Sequence, residues 1–430
     1  MRVLLVGAGG REHALAWRLR QENQNVELFA APGNPGIAEW ATCVDVSAAD
    51  VNGLAAVARQ HSIDWTLVGP EAPLAAGIVD AFRAAKLPIF GPTRAAAMLE
   101  SSKAFSKTLM TEAGVRTARA VTCQTAVEAE RAIGEIGLPV VIKASGLAAG
   151  KGVVVCATRA DALREVASML GGSFGDAGST ILVEEFMDGE ELSLFVLTDG
   201  ERAIPLPAAQ DHKRLLEHDR GPNTGGMGAY CPVSLVDQSP ELVGEVLEHV
   251  VQPTLATMRA RGTPFTGLLY VGLMLTANGP KVVEFNCRFG DPETQAVLPA
   301  LAREAPLGEF METIARGGRL PENTRLDASR FALCTVIAAS GYPGHPSIGD
   351  AIELPRTPTD VLLFHAGTKR ERDGTLVTAG GRVLGVTGIG DSLDEAHRLS
   401  LLYARDVSFR DKQFRTDIGW RELMRRAGTT

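Results

Sequence analysis

No CxxC pair occurs in the chain. Its six cysteines, Cys43, Cys123, Cys156, Cys231, Cys287 and Cys334, are scattered, which argues against a zinc cluster and against a disulfide framework. No apolar run approaches the ~18 residues of a membrane span, and Met1-Arg2 leads straight into a short apolar strand instead of a secretory leader. An excess of positive charge is missing too. With 43 Lys+Arg against 51 Asp+Glu the net charge is −8, so there is no basic footprint for nucleic acid or an anionic membrane. Internal repeats and low-complexity tracts are also lacking. These absences point to a cytoplasmic protein with reduced thiols and small-molecule partners, in which any phosphate site is local.

Glycine, by contrast, is plentiful, and the 46 glycines cluster in loops. Across residues 1–100, strands at Arg2 to Val6, Val26 to Ala30, Trp65 to Val68 and Leu87 to Phe90 each end in a glycine turn. Strand, glycine turn and helix in repetition predict an α/β fold that begins with a doubly wound parallel sheet, with ligands outside the carboxyl ends of its strands. A dinucleotide fingerprint G-x-G-x-x-G fails at Glu12. Free amides at Gly9 and Gly10, with Arg11 beside them, still suit a phosphate at the helix start.

From residue 101 the texture changes. Residues 121 to 188 read as a small α+β lid: a helix from Thr125 to Ile136, the strand Pro139 to Ala144 carrying Lys143, a Gly/Ala-rich stretch to Gly152, a second strand to Cys156, and a third from Thr180 to Phe186. Gly146 to Lys151 falls one residue short of a P-loop and lacks its Ser/Thr. A hairpin whose tip, with Gly150, Lys151 and Gly152, closes over phosphates is the expected structure, and Lys143 reaches phosphate oxygens from inside Val-Val-Ile-Lys-Ala. Glu184-Glu185-Phe186-Met187 followed by Glu191 has the form of an adenine-binding hinge, with Glu191 set to accept from ribose hydroxyls. After Asp211-His212-Lys213-Arg214 comes a glycine loop from Gly221 to Gly228 that contains Asn223, Gly225 and Gly226; so many glycines predict close approach of backbone to a ligand.

The stretch Lys281 to Gln295 organises the rest. Asn278-Gly279 predicts a turn, so Val282 to Asn286 is the second strand of a hairpin begun by Gly267 to Thr276. Alternation sends Glu284, Asn286 and Arg288 to one side and Val283, Phe285 and Cys287 to the other. A carboxylate and an amide in that register suit a hard divalent cation such as Mg²⁺ or Mn²⁺, with Arg288 next along for anionic oxygens. From about residue 327 short strands and one helix predict a C-terminal α+β domain, with Gly380-Gly381-Arg382 as a wall of the site.

Lys103, Lys143, the loop with Lys151, the Glu184 to Glu191 hinge and Glu284-x-Asn286-x-Arg288 stand in the order found in ATP-grasp enzymes. More narrowly, Gly9 to His13, Ala31 to Gly36, Pro222 to Tyr230 and Arg288 to Leu298 resemble the phosphoribosylamine–glycine ligase family over essentially the whole chain. That resemblance implies three parts: residues 1–100, an ATP-grasp domain at 101–326 with its lid at about 121–188, and a C-terminal domain at 327–430. It further implies ATP, glycine and 5-phosphoribosylamine as substrates, a glycyl phosphate intermediate, and a site that needs no oligomer. Lys103, Lys143, Lys151, Gly150, Gly152, Glu184 to Met187, Glu191 and Lys213 are then the ATP residues. Gly9, Gly10, Arg11, Asn34, Asp211, Asn223, Gly225, Gly226 and Arg288 belong to the other substrates, and Arg288, Lys143 and Asp291 to catalysis. Many ATP-grasp relatives carry a second metal-binding acid on the preceding strand, but Tyr270 to Met274 holds none, so water, phosphate, Asp291 or Glu293 is left to complete the shell. A different ligase or carboxylase on the same scaffold is the nearest rival.

Overall fold

The computed structural model describes residues 1–148 and 152–428. Strands β1 (Arg2–Gly7), β2 (Glu27–Pro32), β3 (Ala41–Cys43), β4 (Trp65–Val68) and β5 (Ile89–Phe90) form one parallel sheet in the order β3-β2-β1-β4-β5. Both faces are covered because β1 is apolar from Val3 to Val6: Leu4 and Val6 enter one core, Val3 and Leu5 the other. The strand order reverses between β1 and β4, and the crevice beyond their carboxyl ends receives the starts of helices Gly10–Glu22 and Glu71–Ala76.

The stretch read from sequence as a lid folds as four antiparallel strands, β6 (Ala120–Cys123), β7 (Val140–Ala144), β8 (Val153–Cys156) and β9 (Ile181–Glu185), in the order β6-β9-β7-β8. Helix Ala126–Ile136 packs on it, started by a capping box between Thr125 and Glu128. Cys123, Ile133, Ile142, Val166 and Val183 belong to a core that is the lid's own. The expected hairpin is present, with Lys143 opposite Val153 and the Ala144 amide donating to the Gly152 carbonyl at 2.8 Å. Gly150 and Lys151, which the sequence reading put at the hairpin's tip, lie outside the described residues.

Next along the chain are β10 (Glu190–Thr198), β11 (Ala203–Pro205), β12 (Gln210–Asp211), β13 (Arg214–Leu216), β14 (Arg220–Asn223), β15 (Gly228–Cys231), β16 (Gly267–Thr276) and β17 (Gly279–Asn286). The predicted hairpin β16–β17 joins the sheet β11-β10-β16-β17. Here the structure corrects the alternation. Gly272 pairs with Glu284 but Leu273 pairs with Val282, so Val283 is an extra residue in a β-bulge. Val282, Phe285 and Cys287 therefore enter the core, while Val283 joins Glu284, Asn286 and Arg288 on the cavity side.

The last strands are β18 (Phe331–Ala338), β19 (Val361–His365), β20 (Thr368–Arg370), β21 (Leu376–Thr378) and β22 (Arg382–Gly390), with helix Leu393–Asp406 packed on β18 and β22. Their main sheet runs β12-β15-β18-β22-β19. Two strands from the middle of the chain thus complete a sheet whose other three come from the end, which fixes Asp211 and the glycine loop against the C-terminal strands. Among the described residues no helix is long and apolar enough to cross a membrane.

Candidate active site

A cavity of about 660 Å³ opens between the lid, the β10–β16–β17 face and the β12/β15 edge. Its floor is the polar side of β17. The Glu284 carboxylate reaches this space, and no hydrogen bond or ion pair closes on it among the described residues. Burial pushes Glu284 up, yet Lys213, Lys103, Lys143 and Arg288 together outweigh burial and hold the carboxyl below its ordinary range. An ionised, unclaimed carboxylate next to the Asn286 amide is a donor set that fits a hard divalent cation. Neither acid proposed to complete that shell is free to swing in. Asp291 accepts from Gln295 Nε2 at 2.8 Å and pairs with Arg382 at 3.0 Å, and Glu293 Oε1 accepts from the Tyr270 hydroxyl at 2.7 Å.

Lysines line the lid side. Lys143 is buried in β7, and its Nζ lies 2.7 Å from Glu184 Oε2 on the neighbouring strand β9. Burial works against the Lys143 ammonium, but Glu184, Glu284 and Glu191 more than offset it and hold it above its ordinary value. Glu184 is also approached by Lys107 at 3.2 Å, so its side chain fixes two lysines. Burial lowers Lys107 to about 8. Lys103 shares the wall, and burial lowers its ammonium despite the pull of Glu284; among the described residues Nζ touches only the Gly146 carbonyl, at 3.4 Å.

Past β9 the chain presents Phe186 and Met187 to the same cavity, with Phe186 43% exposed and, among the described residues, without a ring partner. Glu185 also lines the cavity and pairs with Lys281 at 2.9 Å, while Glu191 clasps Lys213. The hinge therefore offers backbone groups and one apolar face. Gly152 lines the cavity, as does Asn223, whose amide donates to the lid's Val153 carbonyl at 3.0 Å.

Arg288 is oriented from several sides. It lies 3.0 Å from Glu100 and 3.2 Å from Glu71, and donates to Asn286 Oδ1 at 3.3 Å and to the Phe289 carbonyl at 3.2 Å. Burial raises the Glu100 carboxyl. Glu71 is held low because Arg288 and Arg11 overcome its burial. Sequence reasoning missed both acids. Glu71 sits in a strand-end glycine turn of the kind that marked other sites; Glu100, inside a short helix, carried no local signal.

The expected acceptor residues are only partly brought to the cavity. Arg11 lines it, but its guanidinium is engaged by Glu12 at 2.6 Å and by the Phe289 carbonyl at 3.0 Å. The Gly9 amide is not free, because it donates to Glu12 Oε2 at 2.6 Å. Gly10 packs so tightly that a Cβ there would lie 2.6 Å from Gln295 Nε2. Asn34 stands behind the wall, its amide nitrogen donating to the Ala8 and His365 carbonyls at 2.8 Å each. Gly225 and Asp211 do line the cavity. Gly226 instead supports it: its φ of +107° is a left-handed region conformation, and a Cβ would meet Pro292 at 2.4 Å.

Comparison with known proteins accounts for the whole chain. Residues 1–100, 101–294 and 332–421 match the N domain, the ATP-grasp (A) domain and the C domain of phosphoribosylglycinamide synthetase. The phosphoribosylamine–glycine ligase of Xanthomonas axonopodis pv. citri is 46% identical, covering 99% of each chain. That of Ralstonia nicotianae is 47% identical, covering 99% of this chain and all of its own. The crystal structure of the Thermotoga maritima phosphoribosylamine–glycine ligase superposes with a TM-score of 0.83 at 33% identity, over 97% of this chain and 100% of its own. The biotin carboxylase domain of the Hydrogenobacter thermophilus 2-oxoglutarate carboxylase shares the fold, with a TM-score of 0.72 at 18% identity, over 96% and 91%. Matched by these models over residues 1–294 and 332–421, the chain belongs to the phosphoribosylglycinamide synthetase family.

Proposed function

We propose that the chain joins glycine to 5-phosphoribosylamine at the expense of ATP, giving glycinamide ribonucleotide, ADP and phosphate in purine biosynthesis. The observation that carries this reading is the convergence of Glu284, Lys103, Lys143 and Arg288 on one cavity in a chain alike end to end to phosphoribosylamine–glycine ligases. Glycine's carboxylate is a poor acyl donor until it is phosphorylated. The amine of 5-phosphoribosylamine then attacks the carbonyl of glycyl phosphate, the C–N bond forms, and phosphate leaves. No nucleophilic Ser or Cys is needed. Phosphoryl transfer mainly demands positioning and charge neutralisation.

In this reading Lys103, Lys143, Lys151 and Lys213 face the phosphates of ATP, Gly150 and Gly152 cover them, and Glu184 to Met187 with Glu191 hold the nucleoside. Glu284 and Asn286 hold a Mg²⁺ or Mn²⁺, which when bound supplies neutralising charge to phosphate oxygens. Arg288, pre-oriented by Glu71 and Glu100, meets the developing acyl phosphate, and Asp291 steadies the turn beside it. Gly9, Gly10, Arg11, Asn34, Asn223, Gly225 and Gly226 serve the phosphoribosyl side, with Gly9, Gly10, Asn34 and Gly226 acting as its support. The division into 1–100, 101–326 and 327–430, with a lid at about 121–188 that excludes water from the acyl phosphate, and a cytoplasmic location, belong to the same reading.

A phosphate-release assay with each substrate omitted in turn tests it. Release has to require ATP, glycine and 5-phosphoribosylamine together. Release with bicarbonate in place of glycine would assign the scaffold to a carboxylase instead.

A further inference from the structure

The end of the chain returns to the cavity. Gly419 and Arg421 line it where helix Trp420–Arg426 begins. That helix is seated by Glu422, which is fully buried and accepts from the Ser234 amide and hydroxyl at 2.9 Å each. Glu422 in turn holds Arg425, whose Nη2 lies 3.0 Å from it. The same guanidinium reaches across to β10 and β12. Its Nη1 donates to both carboxylate oxygens of Glu190 at 2.8 Å, and Nη2 donates to Gln210 Oε1 at 3.4 Å. Gln210 also accepts from the Tyr230 hydroxyl and passes the link on, its Nε2 donating to the Glu191 carbonyl at 2.6 Å.

Glu190 and Glu191 open β10, and both line the cavity, as does Gln210. The start of the strand is therefore held at two successive residues, one by its carboxylate and the next by its carbonyl, and both tethers end on Arg425. A planar guanidinium presents its donors in fixed directions, so one that serves two acids and an amide together fixes where they stand relative to one another. We infer that Arg425 is a positioning residue for ATP: through Glu190 and Gln210 it sets the backbone at Glu191, so that the Glu191 carboxylate, clasped by Lys213, meets the ribose hydroxyls. This rests on the ligase reading, which puts the nucleoside at Glu184 to Glu191. Arg425 lies past residue 421, where the match to the C domain ends.

Dideoxy-ATP, which keeps the base and the triphosphate but lacks both ribose hydroxyls, separates this role from a general one. Binding of MgATP and of the dideoxy analogue is measured by calorimetry on the full chain as wild type, R425A and R425K, beside a thermal melt and the KM for glycine. R425K keeps a cation against Glu190 and Glu422 and stands in should R425A not fold, yet its single ammonium cannot span both acids and Gln210. Wild type is expected to prefer ATP by at least ~10-fold, as hydrogen bonds to a charged acceptor warrant. The variant is expected to lose most of that preference through weaker ATP binding, with its affinity for the dideoxy analogue and its KM for glycine unchanged. Equal weakening of both nucleotides overturns the inference, since Arg425 would then only support the fold, and so does an unchanged preference. A wild type with no preference overturns it too, by taking the ribose away from Glu191, while its phosphate release with glycine leaves the ligase reading standing. Wild-type protein that releases no phosphate with ATP, glycine and 5-phosphoribosylamine removes that reading, and the role of Arg425 with it.

Discussion

Arg382 Nη2 lies 3.0 Å from Asp291 Oδ2, and the same guanidinium donates to the Asp291 carbonyl at 2.7 Å and to the carbonyl of Gly225. One side chain at the start of β22 thus ties the C-terminal strands to the turn after Arg288 and to the glycine loop. Asp291 stays ionised although burial opposes it, chiefly because Arg382 and then Arg11 face it. Replacing Arg382 by alanine leaves that carboxylate without its main partner. R382A is expected to lose about 2 kcal/mol of stability and to lower turnover, whereas R382K, which keeps the charge but not the fork, recovers stability more than activity. Urea unfolding and steady-state assays on the two variants check this; equal loss of activity and stability in both would show that the tie is only structural.

Glu184 stands between two lysines, with Lys143 2.7 Å and Lys107 3.2 Å away, and is itself buried. Removing the acid strands two ammonium groups in a low-dielectric wall, and breaking such a buried pair costs about 3–5 kcal/mol. E184A is expected to fold poorly. The double variant E184A/K143M is expected to regain part of the loss, since one uncompensated charge leaves with its partner, while remaining inactive. Chemical denaturation of the singles and the double gives the coupling; additive losses would contradict it.

How much of this was legible in the sequence follows the range of each interaction. A lone charge in Val-Val-Ile-Lys-Ala marked Lys143 as a buried functional lysine, and Asn278-Gly279 marked the β16–β17 hairpin, because both signals are local. The bulge at Val283 left no trace in composition: it depends on how β17 pairs with β16, so strict alternation sent the wrong valine to the core. Pairing of β15 with β18, far along the chain, was equally invisible. The free amide expected at Gly9 failed for a nearer reason, since Glu12, noted only as a missing glycine, folds back to take that N–H. Asn34 looked like a ligand residue at a strand end, yet four backbone groups use it up.

Glu284 is the acid in the floor of the cavity that no described residue claims, held ionised against burial by four surrounding cations. E284Q preserves shape and removes the charge, so the fold is expected to survive while activity at low Mg²⁺ falls by about 100-fold. Raising Mg²⁺ is expected to restore part of it, because weakened binding is offset by concentration. Titrating activity against Mg²⁺ for wild type and variant distinguishes the outcomes. Wild-type activity at low Mg²⁺ would take Glu284 out of the metal site.

Asp211 gives the chain a pH dependence of definite sign. Burial, reinforced by Glu293, Glu191 and Glu284 and opposed by Lys213, pushes its carboxyl up to about 8, above the ~3.9 of an unfolded aspartate. Between those values the native protein holds a proton that the unfolded chain has lost. Stability from this group is therefore full below about pH 4 and is lost as pH rises toward about 8, beyond which it changes no further. Asparagine does not titrate. D211N is expected to gain stability relative to wild type steadily across that window, the other carboxylates being common to both proteins. Unfolding free energies of the two proteins measured as a function of pH check the sign: curves that stay parallel would mean that Asp211 is ionised in the native protein throughout, with Lys213 as a sufficient partner.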